Sequence, residues 1–208
     1  KGLDIPWVSI ATAVFRLDEE IIDLMYESGC RFIDIAIESG SERVIKEIVK
    51  KPVNHKRAVE LVKYARNKGI FVSSNFIIGF PGETWNEILE TIKFAEKINI
   101  DYVKIFIAIP LKNTPMYDMA KEIGALKNET VDSIWTSGGM LETEEFSSND
   151  LTILRAYEWE RINFTDPFKT KKIAERMGVS IDELDSIRRR TRENARKQIS
   201  DRTYPAVS

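Results

Sequence analysis

The sequence predicts an α/β fold built on parallel strands, and three observations carry that reading. Four short β-type runs alternate with helical patterns in regular order. Each gap between runs is long enough for a helix that returns the chain to the same end of a sheet, which argues for right-handed crossovers in a (β/α) barrel or a doubly wound sheet. The runs also alternate apolar with polar residues, whereas a parallel strand covered by helices on both sides is apolar throughout. One polar face favours the barrel, as a wall facing a ligand cavity.

The first run, WVSIATA at residues 7–13, leads into DEEIIDLMYESG, a helical pattern that starts near Asp18 and stops at Gly29, a residue suited to the left-handed position that ends helices. The second, FIDIAIE at 32–38, sets Ile33, Ile35 and Ile37 on one face and Phe32, Asp34, Ala36 and Glu38 on the other. A short helix, SERVIKEIVKK, follows. In NHKRAVELVKYARNKG, Asn54 is placed to cap the helix, Gly69 to end it, and Ala58, Leu61, Val62 and Ala65 form its apolar stripe. The third run, IFVSSNFIIG at 70–79, can align Ser73, Asn75, Ile77 and Gly79 with the polar face. Thr84 and Glu87 make a T-x-x-E capping box that opens the next helix. The fourth run, YVKIFIAIP at 102–110, adds Lys104, Phe106, Ala108 and Pro110 to the same face.

Asp34, Asn75 and Lys104 therefore either line a ligand cavity or pair with one another in a layered barrel core. Glu38 has the better position for chemistry. It stands at the C-terminal end of its strand, where (β/α) folds place their active sites, and a Ser-Gly-Ser turn that can offer backbone N–H groups follows it.

Beyond Pro110 the pattern changes. Residues 1–125 read as the barrel portion, 126–147 as a connecting segment with little periodicity, and 148–208 as a helical extension. Ser147 and Asp150 announce a helix, and two more are joined at 177–180, the last opened by an S-x-x-E box from Ser180 to Glu183. The tail is basic: residues 169–202 hold eleven Lys/Arg against six Asp/Glu, although the whole chain carries a formal charge of −2.

The 208 residues, 43% of them hydrophobic, can supply a sizeable core. No apolar run approaches the roughly 20 residues of a membrane span, so a cytoplasmic location is the expectation. The single cysteine, Cys30, allows no intramolecular disulfide and cannot alone supply the thiolates of a zinc or iron–sulfur site. The lone His55 lies beside the Asn54 cap and is expected to be exposed, hence a poor base or ligand. Trp7, Trp85, Trp135 and Trp159 are not grouped in a basic stretch, which favours packing over base stacking.

IAIESGS, NFIIGFPGET and AIPLKNTPMY, in this order on consecutive βα units, resemble the radical S-adenosylmethionine (SAM) superfamily, in particular the branch often fused to a cobalamin-binding domain. Each piece alone is weak, since a G-x-P-G-E turn can open a helix anywhere, but the set with its spacing is specific. The resemblance covers residues 7–117 and implies the C-terminal part of a partial (β/α)6 TIM-like barrel, with about four parallel strands, plus the helical extension. It also implies a 4Fe-4S cluster that reductively cleaves SAM to a 5′-deoxyadenosyl radical, an external electron donor, and cobalamin in an upstream domain. By position, Glu38 and Ser39 match residues that contact the ribose or methionyl part of SAM, Asn75, Ile77 and Gly79 match the strand along the adenine, and Ile109 and Pro110 match a strand end at the adenine edge. Asp34 and Lys104 would line the substrate side. The family's CxxxCxxC loop is absent from this sequence, so the cluster ligands are expected outside this chain and the chain alone is expected to be inactive.

Two other readings compete. An ordinary (β/α) metabolic enzyme could use Asp34, Glu38 and Lys104 as acid–base groups, which explains the polar face but not the ordered motifs. KIAERMGVSIDELDSIRRR resembles a helix-turn-helix, whose charge would attract nucleic acid. It ranks below a packed helical hairpin with a solvated basic face, because such short patterns are frequent. Four strands of an open barrel leave an edge at WVSIATA, and exposed edges pair with other chains. The isolated 208-residue chain should therefore self-associate in sedimentation experiments, and a clean monomer at high concentration would contradict that expectation.

Overall fold

The computed structural model describes residues 5–126 and 139–203. Trp135 and most of the expected connecting segment, residues 127–138, lie outside the described residues, as do 204–208. The elements are β1 (Trp7–Ala13), α1 (Glu19–Glu27), β2 (Cys30–Glu38), a π-helical segment (Val44–Val49), α2 (His55–Asn67), β3 (Phe71–Ile78), α3 (Trp85–Lys97), β4 (Tyr102–Ile107), α4 (Pro115–Glu122), α5 (Ser148–Phe164), α6 (Pro167–Met177) and α7 (Ile181–Thr203). The strands form one sheet in the order β1-β2-β3-β4, with β1–β2 and β2–β3 pairing in parallel. The chain divides into two compact units: residues 1–76 with 90–104, and residues 77–89 with 105–208.

In the first unit, capping side chains set the helix starts. Asp18 accepts from Ile21 N at 2.7 Å and Asn54 accepts from Arg57 N at 2.9 Å, each satisfying a backbone donor with no helical partner. Gly29 and Gly69 follow α1 and α2 in the left-handed region. The apolar stripe of α2 is buried as its spacing requires, with Ala58, Leu61, Val62 and Ala65 all nearly inaccessible. Ile33, Ile35 and Ile37 of β2 are buried too. Each large apolar side chain so covered stabilises the unit by about 1.5–3 kcal/mol.

Asp101 ties this layer together at the start of β4. It is 2% exposed, its Oδ2 accepts from Val72 N of β3 at 2.9 Å, and its Oδ1 accepts from Arg66 Nε of α2 at 3.2 Å. Its own N–H donates to Val72 O at 2.9 Å. A single carboxylate thus fixes two strand starts and a helix end.

In the second unit, Ala108 N donates to Ile78 O at 2.9 Å, joining the ends of β3 and β4. Leu126 and Leu141 form an antiparallel bridge, so the two sides of residues 127–138 meet. The predicted Ser147–Asp150 box caps α5 in both directions, with Ser147 N to Asp150 Oδ2 at 3.0 Å and Asp150 N to Ser147 Oγ at 3.1 Å. Gly178, at φ +69°, ends α6, and Ser180 with Glu183 caps α7 in the same manner. Arg188 bonds to Glu160 of α5 and Arg192 reaches the same carboxylate at 3.1 Å, so part of the basic face of α7 is turned inward.

Replacing Asp101 by Ala should lower unfolding stability by about 1.5–3 kcal/mol, the range for hydrogen bonds to a buried charge. Urea denaturation would measure it, and an unchanged midpoint would deny Asp101 this role.

Candidate functional site

The end of β2 is where sequence and geometry converge. Ala36 pairs with Asn75 and Glu38 with Phe76, so Ile37 is an extra residue in the ladder, a bulge that re-aims the strand end. Glu38 has φ +74°. A non-glycine residue held there costs of order 1–3 kcal/mol, and such strain clusters at ligand sites. Its carboxylate is 8% exposed as a residue and is bonded to the Lys51 ammonium.

The following turn explains how that strain is held. Ser39 is fully buried, with its hydroxyl 2.9 Å from Thr91 Oγ1 and accepting from Ser41 N at 3.1 Å. Gly40 N donates to Thr91 Oγ1 at 3.0 Å. Gly40 itself presses on α3: a Cβ there would lie 2.6 Å from Phe94 Cβ and 2.8 Å from both Glu90 O and Thr91 Cα. Only glycine allows this approach. His55 is half-buried rather than exposed; its Nε2 lies 2.9 Å from Ser39 O and its ring centroid 4.6 Å from that of Phe94. Ser39, assigned to the cofactor by resemblance, thus has its hydroxyl engaged within the turn.

Lys51 and His55 also line a cavity of about 670 Å³ with Glu42, Lys46, Lys50 and Lys56. That volume is in the range of small-molecule pockets. Its lysines give it a positive lining beside the Glu38 carboxylate.

Asp34, Asn75 and Lys104 do meet. Asp34, 3% exposed, accepts from Ser73 Oγ, from Lys104 Nζ at 2.9 Å and from Asn75 Nδ2 at 3.3 Å. These residues face one another across three neighbouring strands, in the mutual pairing that their shared face allows. The side-chain oxygen of Asn75, Oδ1, is buried without a partner among the described residues. A buried unpaired acceptor is costly unless a ligand donor meets it.

In the second unit, Ile77 and Ile109 are half-buried and Pro110 is buried, directly after the ends of β3 and β4. Gly79 has φ +79°, and a Cβ there would lie 2.4 Å from Leu151 Cδ1, so both backbone and α5 demand glycine. Glu83 shapes the turn after β3. It is 1% exposed, precedes α3, and its Oε2 accepts from Gly79 N at 2.6 Å and Phe80 N at 2.9 Å, closing the G-F-P-G-E turn on itself. An acid four residues after the strand-ending glycine was the legible signal for that role.

Cys30 is buried at the start of β2, its thiol donating to Phe32 O at 3.3 Å. Among the described residues no cluster of His, Cys, Asp or Glu could hold a metal ion, and no helix is long and apolar enough to cross a membrane.

Residues 2–95 match the family model of the radical SAM superfamily. The chain is 42% identical over 118 residues to cytidylyl-2-hydroxyethylphosphonate methyltransferase of Streptomyces wedmorensis, covering 53% of this chain and 22% of that protein. It is 29% identical over 119 residues to the ribosomal protein uS12 methylthiotransferase RimO of Desulforamulus reducens, covering 55% and 27%. The chain thus spans about a quarter of the length of these relatives. Among solved structures, coproporphyrinogen III oxidase (HemN) from Escherichia coli aligns with a TM-score of 0.57 at 14% identity, covering 82% of this chain and 37% of that one. The methyltransferase TsrM from Kitasatospora setae, with cobalamin and a [4Fe-4S] cluster bound, aligns at 0.50 and 18%, covering 76% and 31%. The motifs on consecutive βα units, the parallel sheet and the family-model match over residues 2–95 agree in their likeness to the radical SAM superfamily.

Proposed function

We propose that this chain is the SAM-binding part of an enzyme that transfers a methyl or methylthio group by radical chemistry. The observation that carries the reading is Glu38, a strained, nearly buried carboxylate delivered by a bulge to the C-terminal end of its strand. The relatives support the group transferred, since their names are those of a phosphonate methyltransferase, a ribosomal-protein methylthiotransferase and, in Thermus thermophilus, a tRNA methylthio-adenosine synthase.

The residues present fit SAM. Glu38 can accept from ribose hydroxyls or an ammonium, and a carboxylate has about four acceptor sites, enough to keep Lys51 as well. Asn75 Oδ1 offers a buried acceptor lacking a donor. The chemistry supplied by SAM with a reduced 4Fe-4S cluster is formation of a 5′-deoxyadenosyl radical. This chain's part is to orient the nucleoside and exclude water.

The residues do not fit the cluster. One cysteine, buried and bonded to backbone, cannot replace several thiolates. The same reading assigns the cluster ligands and any cobalamin to residues outside this chain, and the reducing electron to an external donor.

In the full-length enzyme, Glu38→Gln should weaken SAM about 10–100-fold, as expected for losing charge-assisted hydrogen bonds. Anaerobic calorimetric titration reads this directly, and unchanged affinity would remove Glu38 from the site.

A further inference from the structure

Five arginines are half-buried among the described residues: Arg57, Arg66, Arg155, Arg161 and Arg188. Four have a carboxylate partner, respectively Glu19, Asp101, Glu158 and Glu160. Arg155 has none. Its Nε is buried without an acceptor, and burial alone pushes the guanidinium below its ordinary value with no acid beside it to oppose the shift. A guanidinium stays protonated regardless, so among the described residues this positive charge is desolvated and uncompensated.

The place of Arg155 is informative. It lies on the stripe of α5 that includes the buried Ser148, Leu151, Thr152 and Trp159. One helical turn before it, Leu151 packs on Gly79, the residue that ends β3. The arginine therefore stands beside the helix position that contacts the G-F-P-G-E turn. A planar fork of donors without an internal partner matches an oxyanion with two oxygens to offer.

We propose that Arg155 is an oxyanion-binding residue, receiving a phosphate, phosphonate or carboxylate group of a molecule bound in this enzyme. The assignment deepens the SAM-dependent transfer reading and rests on it for the identity of the two candidate sources, an anionic substrate or the methionyl carboxylate of SAM.

The test is thermal unfolding of the full-length protein at constant ionic strength, with methyl phosphate as probe and sodium chloride as control. Wild type should show a saturable upward Tm shift of about 3–6 °C at ten times Kd. Arg155→Met should abolish that shift, Arg155→Lys should retain part of it, and in anion-free buffer Arg155→Met should melt no lower than wild type. Calorimetric titration with SAM and with 5′-methylthioadenosine, which lacks the carboxylate, assigns the source. Weaker binding of SAM alone in Arg155→Met points to the cofactor, and unchanged binding of both, with the phosphate shift lost, points to the substrate. An equal phosphate shift in Arg155→Met, or no effect of the substitution on any of the three ligands, overturns the proposal. So does a lower Tm of Arg155→Met in anion-free buffer, which would reveal a protein partner. If SAM binds neither protein while wild type keeps the phosphate shift and Arg155→Met lacks it, the proposed function fails and the oxyanion site stands.

Discussion

The approach of Gly40 to the backbone of α3 is the contact on which the first unit's candidate site depends. With atoms of Phe94, Glu90 and Thr91 within 2.8 Å of where a Cβ would sit, the turn after β2 has one available path. That path lets Thr91 hold both Gly40 N and the Ser39 hydroxyl, and lets His55 reach the Ser39 carbonyl. These bonds over-determine the turn, which is the condition for keeping Glu38 in a left-handed conformation that it would not adopt freely. The carboxylate is thus positioned by atoms that never touch a ligand.

Acidic residues divide their work in this fold. Asp101 and Glu83 accept from backbone N–H groups and shape strand starts and a turn. Glu38 and Asp34 are matched with lysines, Lys51 and Lys104, which hold the charges while leaving carboxylate lone pairs open to other donors. A carboxylate bonded to backbone amides is committed to structure. One bonded to a half-exposed lysine can exchange or share its partner, because a flexible ammonium moves at little cost. That difference separates the structural acids from the candidates for binding.

The helical extension shows the same economy with arginine. Arg188 and Arg192 converge on Glu160, and Arg188 also lies over the Phe164 ring with its guanidinium carbon 4.8 Å from the centroid. These contacts consume charge that the sequence presents as a basic stripe, which weakens the case for a helix that reads nucleic acid. Among the described residues Arg155 is the exception, desolvated and unmatched.

Local chemistry made much of this protein legible in its sequence. Caps at Asp18, Asn54, Thr84, Ser147 and Ser180, the buried stripe of α2, and the polar face of β2 all follow from short-range periodicity and side-chain reach, so the α/β order and the superfamily motifs could be read directly. The bulge at Ile37, the strain at Glu38 and the half-buried His55 could not. Each depends on atoms brought together by folding: Ser39 meets Thr91 across 52 residues, and Gly79 meets Leu151 across a still longer stretch. Sequence alone determined which residues can occupy the ends of the strands. Tertiary structure decided which of them are spent on the fold and which remain available, because a side chain's hydrogen-bonding capacity is known only once its neighbours are in place.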